Sequence, residues 1–242
     1  MITLSTASLY PYGLERIFSL AKKAGFKSLE LMLRSKTDNA YYDTWDINYV
    51  KHLSKKYKLL IRSIHVPFEF EHNPCNFKDI INIAKAHHVK NIIVHIPRLN
   101  QTDYIKWYKK EAHKFTNKQT TILFENVHYK KTLADPIIPY DQLNKISNVC
   151  FDIAHSDRSK ADTTDIVKNL NNIKQFHVSL WDGKEDHLGI TTKKDFFIKV
   201  LSFHKNTDYC LELCPKAFND VYNQKEVIKI LKENLNFLKK LI

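Results

Sequence analysis

Glycine is scarce in this chain. Four glycines in 242 residues leave no GxGxxG and no GxxxxGK[ST], so a nucleotide held in a glycine-rich phosphate loop is excluded. Cysteine is equally sparse, and Cys75, Cys150, Cys210 and Cys214 lack CxxC spacing, which leaves packed, reduced thiols as their role. No apolar run approaches the length of a membrane span and the N-terminal stretch lacks a signal-peptide pattern, so a cytoplasmic protein without a membrane partner is expected. Acidic residues are outnumbered, with 26 Asp+Glu against 38 Lys+Arg, and the net charge of +12 favours a phosphate-rich partner. Much of that excess is lysine in a chain also rich in Asn and Ile, which a general composition bias explains equally well.

What the chain does have is alternation. Short β-type runs occur at ITLST (2–6), SLELML (28–33), LLIRSIH (59–65), NIIVHI (91–96), TTILFE (120–125), NVCFDI (148–153), IKQFHVS (173–179) and DYCLEL (208–213). Between them lie amphipathic patterns such as LERIFSLAKKAG, INYVKHLSKKY, FKDIINIAKAHH, YIKWYKKEAHKF and the terminal KEVIKILKENLNFLKKLI, with apolar residues three and four apart. Eight such units predict an α/β fold, a closed (β/α)₈ barrel, in one domain over residues 1–242.

Histidines and carboxylates recur where these runs end: His65, His95, Glu125, Asp152 with His155, His177, His187 and Glu212. In a parallel barrel all strand ends meet at one mouth, so residues far apart in sequence converge there. Strand parity then turns Ile61, Ser63, Ile93, Leu123, Cys150, Gln175 and Cys210 into the barrel, and Gln175 is the polar member that needs a hydrogen-bond partner. Imidazole and carboxylate without thiolate suit Zn²⁺, Mn²⁺ or Fe²⁺. The set exceeds the four ligands of one tetrahedral zinc, so two or three ions are expected, an arrangement suited to displacement at a phosphodiester.

The segments HVPF, VHIP, FENV, FDIAHSD, FHVSLWDG, DHLG and LELCP, in this order, resemble the xylose-isomerase-like TIM-barrel superfamily, specifically the AP endonuclease family 2 group with endonuclease IV and many sugar isomerases and epimerases. The resemblance covers nearly the whole chain. By the endonuclease IV pattern it implies a first metal on His65, His95 and Glu125, and a second on Glu125, Asp152, His177 and Glu212. A third would take His155, His187 and a carboxylate that falls on Glu185, with Asp186 and Asp182 as substitutes. The implied cofactor is zinc, two or three ions, with Mn²⁺ or Mg²⁺ as alternatives. The implied activity is hydrolysis at abasic sites in DNA, with DNA as partner and Glu125 and Glu212 as catalytic carboxylates.

The isomerase branch implies a smaller site: Glu125, Asp152, His177 and Glu212 around one metal, with the two glutamates exchanging protons with a sugar or sugar phosphate. Those four residues fit both branches, and His65, His95, His155 and His187 lean toward the multinuclear one. The chain also departs from endonuclease IV. Its first strand lacks the expected histidine, its second carries Glu30, with Arg34 only a loose match for a DNA-contacting basic residue, and only ten positions separate His177 from His187. Phe68 matches the spacing of an aromatic wedge but also suits a ring lining a small-molecule pocket. Trp181 and the Lys130/Lys131 pair lie in predicted mouth loops and are candidate substrate contacts.

Overall fold

In a computed structural model, the structure describes residues 1–34, 44–67, 77–96, 106, 120–127, 143–145 and 148–242. Eight parallel strands pair in chain order and close into a barrel: β1 Ile2–Ser5, β2 Ser28–Met32, β3 Leu60–His65, β4 Asn91–His95, β5 Thr121–Glu125, β6 Val149–Asp152, β7 Ile173–Val178 and β8 Asp208–Leu211. Each lies within one of the runs read from the sequence.

The described helices are α1 Leu14–Ala24, α2 Ile47–Tyr57, α3 Phe77–Ala86, α4 Ile153–Arg158, α5 Thr163–Asn169, α6 Lys194–Leu201 and α7 Gln224–Leu241. In α1, Leu14, Ile17, Phe18, Leu20, Ala21 and Ala24 are buried while Lys22 and Lys23 stay in water, as the three-and-four spacing requires. Gly25 ends that helix at φ +96°, a left-handed turn that costs glycine nothing. The side chain of Asp46 caps α2 by accepting from the N–H groups of Asn48 and Tyr49, and Asn223 caps α7 by accepting from that of Glu226. Helices α4 and α5 are too short to show a periodicity of their own, whereas α6 buries Phe197, Val200 and Leu201 at spacings of three and four. The YIKWYKKEAHKF pattern lies outside the described residues apart from Lys106.

Most of the core lies between the strands and the surrounding helices, and Ile93, Leu123 and Cys150 form a small separate cluster on the inward side of β4, β5 and β6. These are three of the positions that strand parity turned inward. At the N-terminal end of the barrel, the nearly buried carboxylate of Asp208 faces Lys90 Nζ at 2.7 Å, the N-terminal amine at 3.3 Å and Arg62 at 3.4 Å. Burial alone would raise its pKa, but these cations hold it below the ordinary carboxylate value. This tie joins β1, β3 and β8 at the closed end and leaves the opposite mouth for chemistry. Among the described residues no helix is long and apolar enough to cross a membrane.

Candidate metal centre

Local structure aims each side chain at the mouth. β3, β4 and β5 end on His65, His95 and Glu125, all buried. β6 ends on Asp152, which caps α4: its Oδ1 accepts from the backbone N–H of His155 at 2.6 Å. That cap occupies one carboxylate oxygen and leaves Oδ2 turned into the site without a hydrogen-bond partner. It also brings His155, one helical turn on, beside its own cap.

Asn126 clamps the ends of β5 and β6 together. Its Oδ1 accepts from the Asp152 N–H at 2.7 Å and its Nδ2 donates to the Asp152 carbonyl at 2.9 Å. The Asn126 carbonyl accepts from His155 Nδ1 at 3.0 Å. A carbonyl has no proton to give, so the ring must carry a proton on Nδ1, which leaves Nε2 as the nitrogen able to ligate. His65 follows the same logic, with Nδ1–H donating to the Val66 carbonyl at 3.0 Å and Nε2 facing Glu125 Oε2 at 2.8 Å. Two acceptors face each other there, which requires a shared cation, either a proton or a metal.

The loop after β7 folds back through an antiparallel bridge between Leu180 and Leu188 and delivers His187 at φ +56°. A histidine in the left-handed region is held there by its surroundings. Cys214 N–H donates to the His187 carbonyl at 2.6 Å, and the buried side chain of Asn234 accepts from the Ile190 N–H at 2.7 Å. Gly189 passes so close to Asn234 that an added Cβ would lie 3.3 Å from its amide atoms. Thus fixed, His187 Nε2 lies 3.3 Å from His155 Nε2, while its Nδ1 pairs with Ser179 Oγ at 3.1 Å.

His177, next to the last residue of β7, has no exposure at all. Its Nδ1 lies 2.8 Å from Glu212 Oε2, 3.3 Å from Glu125 Oε1 and 3.9 Å from Asp152 Oδ2. Its Nε2 lies 3.1 Å from Glu30 Oε1. Among the described residues, three donor groups of imidazole and carboxylate alone have their ligand atoms within 4.8 Å of one another: His65 with His95 and Glu125; Glu125 with Asp152, His177 and Glu212; Asp152 with His155 and His187. Two further groups meet the same distance with a buried cysteine, Cys210 with Glu30 and His177, and Cys150 with Glu125 and His177.

These residues fit divalent cations. Glu125 Oε1, Asp152 Oδ2 and His177 Nδ1 are buried without hydrogen-bond partners, which proteins rarely tolerate unless another ligand satisfies them. The Nε2 spacing of His155 and His187 is close to the edge of about 3.3 Å expected between two imidazoles on one tetrahedral zinc. Electrostatics agree. Burial would raise the Glu125 pKa, but His177, His95 and His65 hold it well below the ordinary range, so the carboxylate stays ionised. Burial would lower that of His155, yet Asp152 and Glu125 push it up to about 10. Asp152 is itself raised, by burial and by the nearby Glu125 charge against the pull of His155 and His187.

Of the remaining sequence candidates, Glu185 is not brought to the cluster. Asp182 Oδ1 accepts from the N–H groups of Lys184 and Glu185, and this tight turn sends the Glu185 carboxylate outward to Lys216 Nζ at 2.5 Å. Asp186 pairs with Arg158. Asp152 is the carboxylate that the structure sets beside His155 and His187. Trp181 is half-buried, its carbonyl accepting from Lys193 Nζ, and it does not line the cavity over the site. Phe68, Lys130 and Lys131 lie outside the described residues. Sequence reasoning missed Asn126, although it stands in the FEN run, and treated Glu30 only as a departure from a pattern.

A cavity of about 430 Å³ opens over the cluster. His65, His95, Glu125, His155, His187 and Glu212 form its floor, Met32, Leu33, Pro67, Leu213 and Pro215 line its walls, and Arg34 reaches its rim. The Arg34 guanidinium lies over the Tyr10 ring, 5.4 Å from its centre.

Solved structures with this architecture are numerous. The IolI protein with a bound zinc atom superposes with a TM-score of 0.75 over 100% of this chain and 99% of its own, at 13% identity. A D-tagatose 3-epimerase-like protein gives 0.69 over 99% and 98% at 20% identity, and an AP endonuclease, family 2, from Brucella melitensis gives 0.69 over 93% and 96% at 13%. The fold is that of the xylose-isomerase-like TIM barrels. At these identities the likeness extends to the fold alone. No family model matches the chain. Among curated sequences, an uncharacterised Mycobacterium leprae protein, ML2432, is 38% identical over 66 residues, and Mycobacterium tuberculosis Rv0498 is 35% identical over the same length. Each match spans 27% of this chain and 22% of the relative.

Proposed function

We propose that this xylose-isomerase-like barrel is a metal-dependent phosphodiester hydrolase with a multinuclear centre, and that its substrate is DNA at an abasic site. The observation that carries the reading is the sharing of carboxylates. Glu125 belongs to the first and second donor groups and Asp152 to the second and third, so the three form one continuous chain of sites rather than one site with spare histidines. On this assignment His65 and His95 hold one ion with Glu125, His177 and Glu212 a second with Glu125 and Asp152, and His155 and His187 a third with Asp152. Bound there, divalent cations supply Lewis-acid stabilisation of a phosphoryl group and of the oxygen that leaves it.

The chain's own residues do the rest. Glu125 is kept ionised by three histidines, so at neutral pH it orients a water or holds a cation rather than donating a proton. Glu212 lines the cavity and, held low by His177 against burial, is likewise a carboxylate. Pro67, Leu213 and Pro215 give the cavity an apolar lining, which lowers the local dielectric and strengthens charge interactions at the floor. Arg34 supplies positive charge at the rim, where an anionic backbone arrives.

A second reading is favoured by the largely apolar walls of the cavity and by structural neighbours described as epimerases: a sugar or sugar-phosphate isomerase or epimerase using Glu125, Asp152, His177 and Glu212 around one ion. The two separate in one assay. The chain loaded with Zn²⁺ or Mn²⁺ is offered an abasic-site duplex, an undamaged duplex and a panel of ketoses and ketose phosphates. Incision at the abasic site, abolished by chelator, supports hydrolysis. Epimerisation without incision assigns the second reading.

A further inference from the structure

Beneath the metal-binding floor a chain of polar side chains crosses the barrel interior. Glu30 on β2, Ser63 on β3, Asn91 on β4 and Gln175 on β7 are each at most 1% exposed. Asn91 Nδ2 donates to Gln175 Oε1 at 2.9 Å, Gln175 Nε2 donates to Glu30 Oε2 at 2.6 Å, and Ser63 Oγ donates to the same oxygen at 2.7 Å. The remaining oxygen, Glu30 Oε1, lies at ion-pair distance from His177 Nε2, 3.1 Å, and neither of these two buried atoms has another hydrogen-bond partner among the described residues. An apolar side chain at each position would fill a barrel of this kind, so a buried carboxylate held by side chains of two other strands calls for a reason.

We infer that Glu30 is a positioning residue for the central cation site: it keeps the His177 proton on Nε2 and so keeps Nδ1 free to ligate alongside Glu125, Asp152 and Glu212. The inference rests on the reading that this group holds a divalent cation, and it is independent of the reaction catalysed. A carboxylate is the one side chain of this length that accepts on both sides. Position 30 must accept from Ser63 and Gln175 on one oxygen, because Asn91 has already committed the Gln175 amide to presenting its NH₂ group. It must also accept from His177 on the other. Backing a metal-bound imidazole with a carboxylate fixes its tautomer and orientation and raises its basicity as a ligand.

The polarity of the chain makes the inference testable. In Glu30→Gln the single amide oxygen is claimed by Ser63 and Gln175, and the amide NH₂ turns to His177. Nε2 must then accept, which moves the ring proton to Nδ1 and blocks ligation there. Glu30→Gln with Gln175→Glu reverses the first link. The carboxylate now at position 175 accepts from both Asn91 and the amide at position 30, the oxygen of that amide returns to His177, and the net charge is restored.

The experiment measures stepwise zinc affinities of the full chain, stripped and then titrated against a chromogenic chelator, for wild type, Glu30→Gln and the double variant. The His177 ring nitrogens are read by ¹⁵N NMR of the zinc-loaded proteins. The single variant should keep its circular-dichroism spectrum and bind central-site zinc about 10–100-fold more weakly. The double variant should recover to within a few-fold. Wild type and double variant should show a protonated Nε2 with a metal-bound Nδ1, a signature absent from the single variant at equal zinc. If the single variant does not fold, the double variant carries the test alone.

Unchanged zinc affinity in Glu30→Gln, or a double variant without the His177 signature, overturns the role of Glu30. Failure of the wild type to bind zinc with that signature overturns the central-site reading as well, so the two failures are distinguishable.

Discussion

His155 and His187, 32 residues apart, meet Nε2 to Nε2 at 3.3 Å, and each has its Nδ1 engaged elsewhere, on the Asn126 carbonyl and Ser179 Oγ respectively. Two rings whose Nδ1 atoms are engaged and whose Nε2 atoms converge, with Asp152 in the same donor group, supply half of a tetrahedral ligand set. His155→Ala and His187→Ala should each lower the metal content of the purified chain by one ion and cut abasic-site incision by about 100-fold or more, the scale of losing a cation that stabilises the leaving oxygen. Elemental analysis by mass spectrometry, in the same preparations used for activity, checks this. Full incision in both variants would falsify the third site.

Glu125 is shared by two donor groups, so its loss should be felt twice. Glu125→Gln keeps the shape of the side chain but removes the charge that His65, His95 and His177 surround. The expected outcome is loss of two ions and of all detectable activity, whichever substrate proves correct. Retention of the wild-type metal content would show that Glu125 does not bridge.

Metal-free protein should respond to pH in a defined direction. The folded pKa of His155 is raised from 6.5 to about 10, so between those values the folded state holds a proton that the unfolded chain has released. Its contribution to stability is complete below the unfolded value of 6.5 and is lost as pH rises toward about 10. Zinc displaces that proton, so the stabilisation it adds should grow with pH over the same window. Thermal midpoints with chelator and with zinc, measured across that window, should therefore diverge. Parallel curves would mean that zinc does not take the place of the His155 proton.

Asn126 is expected to matter without touching substrate. Asn126→Ala removes both hydrogen bonds to the Asp152 backbone and leaves two buried groups unpaired, costing about 2–4 kcal/mol. Asn126→Asp can still accept from the Asp152 N–H but cannot donate to its carbonyl, and should bind less metal than wild type. Denaturation midpoints and metal content report the two effects separately.

Asp208 provides a control at the opposite end of the barrel. Asp208→Asn weakens the tie among Lys90, Arg62 and the N-terminal amine, and should cost about 1–2 kcal/mol given the partial exposure of those cations. Metal content and activity should be unchanged. A coupled loss of metal would mean that the two ends of the barrel are not independent.

The eight strands and the histidines and carboxylates at their ends were legible in the sequence because short apolar, β-branched runs are a local property of strands buried on both faces, and a closed parallel barrel converts strand ends into neighbours without further information. The inward placement of Ile93, Leu123 and Cys150, and the need of Gln175 for a partner, followed from strand parity alone. Tertiary structure decided the rest. That Gln175 is answered by Asn91 and Glu30, 84 and 145 residues away, depends on cross-barrel distances that no local pattern encodes. Asp152 rather than Glu185 stands beside His155 and His187 because an Asx turn at Asp182 and the charge of Lys216 draw Glu185 outward, while the α4 cap holds Asp152 in place. Residue types and their order set which donors reach the mouth; the hydrogen bonds that orient each donor form only once the strands are side by side.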